Sequence, residues 1–253
     1  MGADLGASQG GVLGALFYDA ERPAVDDDEL HAYASRLPRD GGSVLDLRCG
    51  SGRLLVPLLR AGYVVHGIDP SAALIDTCAA RVRGAGASAT LVRQSMDDLN
   101  LPFRYAAAYA AGGAFQRLTD PVAARRALAR VRAHLVPPGV LFLDLFVPSP
   151  AAQRLGAALV EVRTARLADG TRIALRSETT TYADERIART RNRYVHRRGT
   201  AHLAEESESV AITWYPPEEM RELVNDAGFR SVDIAPAPRA AAEGESFAVI
   251  ARI

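Results

Sequence analysis

Two glycines and two aspartates near residue 50 have the spacing of a nucleotide-binding turn. Gly50 and Gly52 stand where a short apolar strand containing Asp46 gives way to a helix, which we predict over residues 53–60. Glycine lets backbone N–H groups approach a ligand closely and points the helix N-terminus at it. Asp69 lies 17 residues after Gly52, at the end of the next predicted strand, where a carboxylate can accept both hydroxyls of an adenosine ribose. The pattern predicts an adenosine-containing ligand.

Short apolar runs alternate with helical stretches along the chain. Ser71 follows Pro70 as a helix N-cap, and Asp120 caps a later helix whose first position is Pro121. Strands connected by helices at this spacing form right-handed βαβ units, so we expect a parallel sheet covered on both faces. The predicted strands are 44–47, 63–68, 89–93, 105–111 and 140–147, and the predicted helices are 53–60, 71–83 and 120–135.

The pattern changes between residues 158 and 214, where extended segments of mixed polarity predict an antiparallel insert of three or four strands. Asp169-Gly170 is a strong hairpin signal, and a second turn is expected near Arg198-Gly199. The parallel pattern resumes with a helix at 217–227 and strands at 231–234 and 246–253.

The N-terminal region has a different character. Residues 1–12, rich in Gly and Ala, predict a loose arm, and the acidic run 26–29 predicts a helix start. We therefore divide the chain into four parts. They are an N-terminal arm and helix (1–38), a cofactor-binding core (39–157), an antiparallel insert that acts as a lid or interface (158–214) and a C-terminal completion of the core sheet (215–253).

The composition narrows the class of partner. The chain contains 30 Lys+Arg and 30 Asp+Glu, and this zero net charge argues against binding to nucleic acid or to an anionic membrane. Two cysteines, Cys49 and Cys78, are too few for a disulfide scaffold or a thiolate zinc site, and the scattered histidines predict no metal. No apolar run approaches the ~20 residues of a membrane span, and no charged signal-peptide start is present. We expect a soluble cytoplasmic protein with a small-molecule substrate.

Two segments connect these elements to a known family. The first is DLRCGSG (46–52) with GIDP (67–70), and the second is WYPPEEMRELVNDAGF (214–229). Together they resemble the class I S-adenosylmethionine-dependent methyltransferases of the small-molecule type, over residues 18–253. The resemblance implies a Rossmann-like α/β fold: a seven-stranded, mostly parallel sheet of order 3-2-1-4-5-7-6, helices on both faces and the antiparallel insert. S-adenosylmethionine, or S-adenosylhomocysteine, would lie across the carboxyl ends of strands one and two.

The same resemblance implies which residues meet the cofactor. Asp46 would order the turn near the methionine end, Asp69 would hold the ribose, and residues after strand three would flank the adenine. The implied cofactor-binding residues are Asp46, Arg48, Cys49, Gly50, Gly52, Asp69, Pro70, Ser95, Met96, Asp97 and Ala111.

Three positions on the cofactor face depart from the family pattern. Arg48 replaces the first glycine of acid-x-Gly-x-Gly-x-Gly, so its side chain either turns to solvent or enters the space beside the cofactor, where it can pair with a carboxylate. Gln94-Ser95-Met96 replaces Gly-Asp-Met, so either Asp97 substitutes for the acid by a one-residue shift or that contact is missing. Tyr105-Ala106 replaces Phe-Asp at the start of strand four.

Candidate residues on the substrate side come from three places. Tyr18 matches an aromatic that closes over cofactor or substrate in similar enzymes, or else it is a hydrophobic staple. The loop after strand four offers Gly113, Phe115 and Gln116, because open α/β sheets bind ligands at that edge.

The insert supplies the remaining two candidates. His196 becomes a catalytic candidate, with Tyr18, if the insert folds over the sheet. Arg191 belongs to an alternating row of arginines that either binds an anionic substrate or partner subunit, or forms a solvated face.

These observations predict a methyltransferase acting on a small-molecule, natural-product acceptor. The alternative is a methyltransferase fold repurposed for cyclisation or isomerisation, with the cofactor structural or absent. A non-catalytic partner subunit is a third hypothesis, and a homodimer is left open. A nicotinamide oxidoreductase fits poorly, because the glycine spacing and the insert do not match that class.

Overall fold

A computed structural model describes residues 11–21, 25–39, 42–153, 158–238 and 244–253. The helices in these ranges are α1 Val12–Glu21, α2 Asp27–Ala34, α3 Leu55–Arg60, α4 Ala72–Gly84, α5 Pro121–His134, α6 Pro150–Gln153 and α7 Pro217–Asp226. The strands are β1 Val44–Asp46, β2 Val65–Asp69, β3 Leu91–Arg93, β4 Tyr105–Ala110, β5 Leu135–Val147, β6 Leu159–Arg166, β7 Arg172–Tyr182, β8 Ile187–Arg198, β9 Ala201–Thr213, β10 Ser231–Pro236 and β11 Glu245–Arg252. Short 3₁₀ turns occupy Met96–Asp98 and Ala114–Arg117.

Seven strands form one sheet in the order β10-β11-β5-β4-β1-β2-β3. The pairs among β1 to β5 are parallel, whereas β11 runs antiparallel to both β5 and β10. Counted along the core strands alone, this order is 3-2-1-4-5-7-6, as predicted. The carboxyl ends of β1, β2 and β4 therefore meet at one edge, with Asp46 opposite both Gly67 and Tyr109.

Helices cover both faces of this sheet, which confirms the predicted fold class. On one face, Leu128 of α5 and Val224 of α7 pack into a buried apolar cluster. On the other face, Leu58 of α3 and Val82 of α4 belong to a second buried cluster. In the described part of the chain, no helix has both the length and the apolar character needed to cross a membrane.

The predicted helix starts are confirmed by their caps. Asp26 Oδ1 accepts the N–H of Glu29 at 2.7 Å and begins α2, and Ser71 Oγ accepts the N–H of Leu74 at 3.3 Å and begins α4. Asp120 accepts from the first turn of α5, where Pro121 stands first. Each of these helices begins within a residue or two of its predicted start, because the capping residue is visible in the sequence.

A second, antiparallel sheet has the order β6-β7-β8-β9. Its predicted turns are present, with Gly170 at φ 83° and Gly199 at φ 58°, both in the left-handed region that glycine tolerates. A third turn between β7 and β8, with Arg186 at φ 52°, was not predicted. The sheet contains four strands, within the predicted three or four.

Helix α1 was not predicted from the sequence. The expected loose arm lies partly outside the described residues, which begin at 11, but residues 12–21 are helical. Leu13 and Phe17, four residues apart and so on one face of the helix, are buried against Tyr194 of β8 and its neighbours. The Phe17 and Tyr194 rings lie 5.8 Å apart. Tyr18 is therefore part of a helix that packs on the second sheet, not a residue that precedes the first helix.

Candidate functional site

Asp69 holds the glycine turn at the carboxyl edge of the large sheet. Its Oδ2 accepts the N–H of Gly50 at 3.1 Å, its Oδ1 accepts the N–H of Ser71 at 2.9 Å, and the residue is fully buried. Gly50 and Gly52 have φ values of 55° and 85°. A Cβ added at Gly50 would meet nothing within 4 Å, whereas one at Gly52 would lie 2.8 Å from the Cys78 sulfur. The turn is thus packed against Cys78 at Gly52 and unfilled at Gly50.

Asp46 ties the same turn to the neighbouring strand. Its Oδ1 accepts the N–H of Arg48 at 3.2 Å, and its Oδ2 accepts the Tyr109 hydroxyl at 2.7 Å. Burial raises the pKa of Asp46 to about 7, although both hydrogen bonds act in the opposite direction. Asp46 therefore orders the turn, as expected, and carries a proton more readily than an exposed aspartate.

Cys49 lies under the turn rather than on its ligand side. It is buried, and contact with the Cys78 thiol together with burial raises the pKa of the Cys49 thiol. Gly67 leaves room for this packing, since a Cβ there would lie 2.9 Å from the Cys49 sulfur. The structure does not bring the Cys49 side chain toward the open side of the turn.

Helix α2 closes over this edge through two buried polar contacts that were missed from the sequence. Tyr33 donates to Asp144 Oδ2 at 2.8 Å, and the same oxygen accepts the N–H of Gly112 at 2.9 Å. Burial raises the pKa of Asp144. Glu29 forms a buried ion pair with Arg53, just after the glycine turn. The available signal for Asp144 was its position as the lone acid in the apolar run 140–147.

Helix α1 lies against the turn from the other side. Asp19 accepts the Ser51 hydroxyl at 2.6 Å and pairs with Arg81 of α4 at 2.6 Å. Tyr18, 44% exposed, lies beside Arg53. Burial lowers the pKa of that guanidinium, but Glu29 and Tyr18 together raise it above its usual range. The structure thus brings Tyr18 to the rim of the glycine turn.

The residues after β3 are engaged with helix α5. The Asp97 carboxylate accepts the Ser95 hydroxyl and pairs with Arg126. Burial alone would raise the pKa of Asp97, but Ser95 and Arg126 lower it. Met96 is buried at the start of the 3₁₀ turn, and the carbonyl of Pro70 accepts Nε of Arg93 at 3.2 Å. The Asp97 carboxylate is bound on the α5 side, which favours a missing acid contact at the adenine over the one-residue shift.

Two substrate candidates in the loop after β4 are structural. Gln116 is fully buried, and its amide nitrogen donates to the carbonyls of Phe146 at 2.8 Å and Thr213 at 2.9 Å, while its oxygen accepts the Phe146 N–H at 3.0 Å. Phe115 is 1% exposed and belongs to the core of the large sheet, with its ring 6.4 Å from that of Tyr215. We correct both assignments: Gln116 connects β5 and β9 through hydrogen bonds, and Phe115 packs in the core.

The glycines of this loop leave space beside it. Gly112 and Gly113 have φ values of 58° and 73°. A Cβ at Gly112 would meet nothing within 4 Å, whereas one at Gly113 would lie 2.8 Å from the Phe146 ring. The carbonyl of Ala111 accepts the N–H of Ala114 at 3.1 Å and turns the chain. The loop is open at Gly112, and its strand β4 is the neighbour of β1, which leads into the turn that contains Gly50.

The insert places its two candidates apart from one another. Arg191 is exposed on the outer face, as is Arg193, which pairs with Glu205 at 2.7 Å. His196 lies on the inner face but binds the Thr171 hydroxyl at 2.7 Å, at the end of the sheet remote from Thr213 and the core. Neither is brought to the glycine turn. The period-two pattern identified the shared face of the arginines correctly, but it cannot tell which face is covered.

Arg117 is a charged residue of this edge that the sequence did not single out. It is partly buried at the end of the 3₁₀ turn after Gly113. Burial and then the charge of Arg48 lower the pKa of Arg117 to about 10, while Glu208 of β9 and Asp69 act in the opposite direction. Across the described ranges, no three His, Cys, Asp or Glu side chains are grouped as a metal site requires.

These residues fit an adenosine-type cofactor. A Cβ at Gly50 or at Gly112 would meet no atom within 4 Å, so a ligand can approach the backbone closely at both glycines. Asp69 is a carboxylate at the end of β2, the position from which ribose hydroxyls are bound in such sheets. The site lies at the carboxyl edge, with α1 and α2 packed against it.

Comparison with known proteins agrees with this geometry. The family profile of a methyltransferase domain matches residues 44–139. A ubiquinone biosynthesis O-methyltransferase of Xanthomonas euvesicatoria is 30% identical over 173 residues, which are 63% of this chain and 68% of that protein. Pyochelin synthetase PchE of Pseudomonas aeruginosa is 35% identical over 130 residues, and the match spans 50% of this chain but only 9% of the synthetase.

Among solved structures, the sugar N-methyltransferase KedS8 of a Streptoalloteichus species superposes with a TM-score of 0.76. The alignment covers 100% of this chain and 96% of that one at 19% sequence identity, so this likeness concerns the fold. The sequence match to the Xanthomonas enzyme and the matched domain carry the family assignment. The chain belongs to the class I S-adenosylmethionine-dependent methyltransferases.

Proposed function

We propose that this chain transfers the methyl group of S-adenosylmethionine to a nucleophilic atom of a small molecule. The observation that carries the proposal is the Asp69 carboxylate bonded to the N–H of Gly50 beneath open space at the carboxyl edge of the sheet. When bound, S-adenosylmethionine supplies an electrophilic methyl group on a sulfonium sulfur. The chain's own task is then to bind, orient and exclude water.

Three groups of residues divide that task in the proposal. Asp69 accepts the ribose hydroxyls while it holds the turn, and Asp46 fixes the turn from below. Helices α1 and α2 shield the site from water through the Asp19–Ser51 and Glu29–Arg53 contacts. Tyr18, at the rim, is the aromatic that we assign to the acceptor side.

The finer proposal is a natural-product acceptor with the insert as its cover. It is supported by the match to a segment of a pyochelin synthetase and by the likeness of fold to a sugar N-methyltransferase. We place the insert at residues 158–214. Its inner face lies on the same side as the glycine turn, because α1 packs between that face and the turn. The outer face, which carries Arg191, points away.

Titration calorimetry with S-adenosylhomocysteine tests the proposal directly. We expect micromolar binding by the wild-type chain, followed by formation of S-adenosylhomocysteine from S-adenosylmethionine when amino- and hydroxy-glycosides are supplied. The matched control is Asp98→Asn, because Asp98 is an exposed aspartate near the same edge. A chain that binds no S-adenosylhomocysteine contradicts the proposal and favours a fold repurposed without its cofactor.

A further inference from the structure

Arg48 and Arg117 are two cations at one edge of the sheet, and in the described part of the chain no carboxylate is bonded to either. Arg48 follows β1 and Arg117 ends the 3₁₀ turn that follows β4, and these strands are neighbours with Asp46 opposite Tyr109. Both residues are partly buried. Within the ranges that the structure describes, neither guanidinium has a carboxylate within 4.0 Å or a side-chain hydrogen bond.

Three other arginines around the same edge are paired with carboxylates. Arg53 pairs with Glu29, Arg81 with Asp19 at 2.6 Å, and Arg126 with Asp97. At these three positions the fold places a carboxylate next to the guanidinium. The contrast marks Arg48 and Arg117 as cations whose partner comes from elsewhere.

The two carboxylates whose charges act on Arg117, those of Glu208 and Asp69, form their hydrogen bonds with other groups. Glu208 is buried, and its Oε1 accepts the Tyr194 hydroxyl at 2.7 Å and the Asn192 amide at 3.0 Å. Asp69 accepts from two backbone N–H groups. Burying a guanidinium beside a second one, without a bonded anion, costs free energy that a ligand's negative charge would offset.

Each of the two loops has an unfilled glycine position. A Cβ at Gly50, two residues after Arg48, would meet nothing within 4 Å, and the same holds at Gly112, five residues before Arg117. We propose that Arg48 and Arg117 together bind one oxyanion at this edge of the sheet, because planar guanidinium groups match the oxygens of a carboxylate or phosphate.

The oxyanion has two sources with the same chemistry. One is the carboxylate at the amino-acid end of S-adenosylmethionine, and this arm rests on the proposed function. The other is an acidic group on the methyl acceptor, since the loop after β4 lies at the edge where α/β sheets bind ligands. The pair is a binding device in both cases, and Arg48 is then a functional replacement for glycine in this turn.

Three probes and three variants test the pair by calorimetry. The probes are inorganic phosphate, S-adenosylhomocysteine and 5′-methylthioadenosine, which is the same nucleoside without the amino-acid end. Arg48→Met and Arg117→Met remove one charge each while keeping an unbranched apolar stem. The matched control is Arg191→Met, which removes an exposed arginine from the outer face of the insert. Thermal melting verifies that each variant is folded.

We expect each of Arg48→Met and Arg117→Met to weaken oxyanion binding at least tenfold, and Arg191→Met to change it less than twofold. If the cofactor supplies the oxyanion, S-adenosylhomocysteine displaces phosphate, and both variants lose affinity for it but not for 5′-methylthioadenosine. If the acceptor supplies it, phosphate binds alongside S-adenosylhomocysteine, and the variants lose phosphate alone.

One result overturns the arginine pair, and another contradicts the proposed methyl transfer instead. Absence of phosphate binding, together with unchanged S-adenosylhomocysteine affinity in both variants, overturns the pair, as does an equal loss in Arg191→Met. Phosphate binding that depends on Arg48 and Arg117, in a chain that binds neither nucleoside, leaves the pair standing and instead contradicts the proposed methyl transfer.

Discussion

Replacing Asp69 tests two roles of one carboxylate: it holds the glycine turn through two hydrogen bonds, and we propose that it also accepts the ribose hydroxyls. Asp69→Ala leaves the N–H groups of Gly50 and Ser71 without their acceptor at a site with no exposed surface. An unpaired buried donor costs about 1–3 kcal/mol, so two cost about 2–6 kcal/mol of unfolding free energy. Asp69→Asn keeps one acceptor oxygen and the shape of the side chain, so we expect a loss of about 1–3 kcal/mol.

Cofactor binding is expected to respond differently from stability. Loss of the charged acceptor for ribose hydroxyls costs about 1.5–3 kcal/mol, which corresponds to roughly a ten- to hundredfold weaker affinity for S-adenosylhomocysteine. Asp69→Asn is the informative variant, because it remains folded while its charge is removed. Urea unfolding gives the stability and titration calorimetry gives the affinity, with Asp98→Asn as the control that removes an exposed charge.

The result that refutes this reasoning is specific. If Asp69→Asn loses stability but binds S-adenosylhomocysteine within twofold of the wild type, Asp69 only holds the turn. The ribose acceptor then lies elsewhere, and the assignment of the end of β2 to the cofactor is wrong.

Three further changes test contacts in other parts of the fold. Glu206→Ala removes the carboxylate that accepts the Leu13 N–H at 3.0 Å, and we expect about 0.5–2 kcal/mol less protection of α1 amides in hydrogen exchange. Gln116→Leu removes three hydrogen bonds to the backbone, and urea unfolding should show a loss of about 3 kcal/mol. Asp46→Asn tests the raised pKa: the folded chain holds the Asp46 proton up to about pH 7, whereas the unfolded chain releases it near its ordinary value of 3.8. The stability of the wild type relative to Asp46→Asn should therefore fall as the pH rises from 4 to 7 and stay constant above 7.

Each of these changes has an outcome that contradicts it. Protection of α1 that falls no more than that of the rest of the chain would mean that Glu206 does not cap the helix. If the stability of Gln116→Leu is unchanged, Gln116 is not a structural residue and is again a candidate for substrate binding. A stability difference for Asp46→Asn that is flat from pH 4 to 8 would show that Asp46 is ionised in the folded chain.

The sequence predicted the large sheet because its signals are local. Ser71 and Asp120 are capping residues, and the run 140–147 is apolar enough to be a central strand. Helix α1 was missed because its periodicity is only two turns long and follows a glycine-rich segment. The helix is stabilised by packing on Tyr194 of β8, which lies 177 residues after Phe17. The sequence around α1 carries no signal of a partner so far along the chain.

The site was predicted best where one strand end determines the position. Asp46, Gly50 and Asp69 lie where expected, since the carboxyl ends of parallel strands share an edge. Gln116 was misassigned because the sequence shows that it follows β4 but not that its side chain points toward β5. Arg117 was overlooked for the same reason, since partial burial beside a second arginine depends on the tertiary packing.

The pairing of β11 with β5 determines when the large sheet can be completed during synthesis. Strand β5 ends at Val147, and its partner begins at Glu245, opposite that residue. At ~5–20 residues per second, the ribosome takes about 5–20 s to make the intervening segment. During that interval the apolar edge of β5 has no strand beside it, which is the condition that favours aggregation.

The intervening segment contains the whole antiparallel insert, whose strands pair with their sequence neighbours. Contacts of that kind form quickly, so β6 to β9 can fold while the larger sheet still lacks β10 and β11. The nascent chain therefore carries a finished small sheet and an unfinished large one, and its exposed β5 edge is the surface on which chaperones would act.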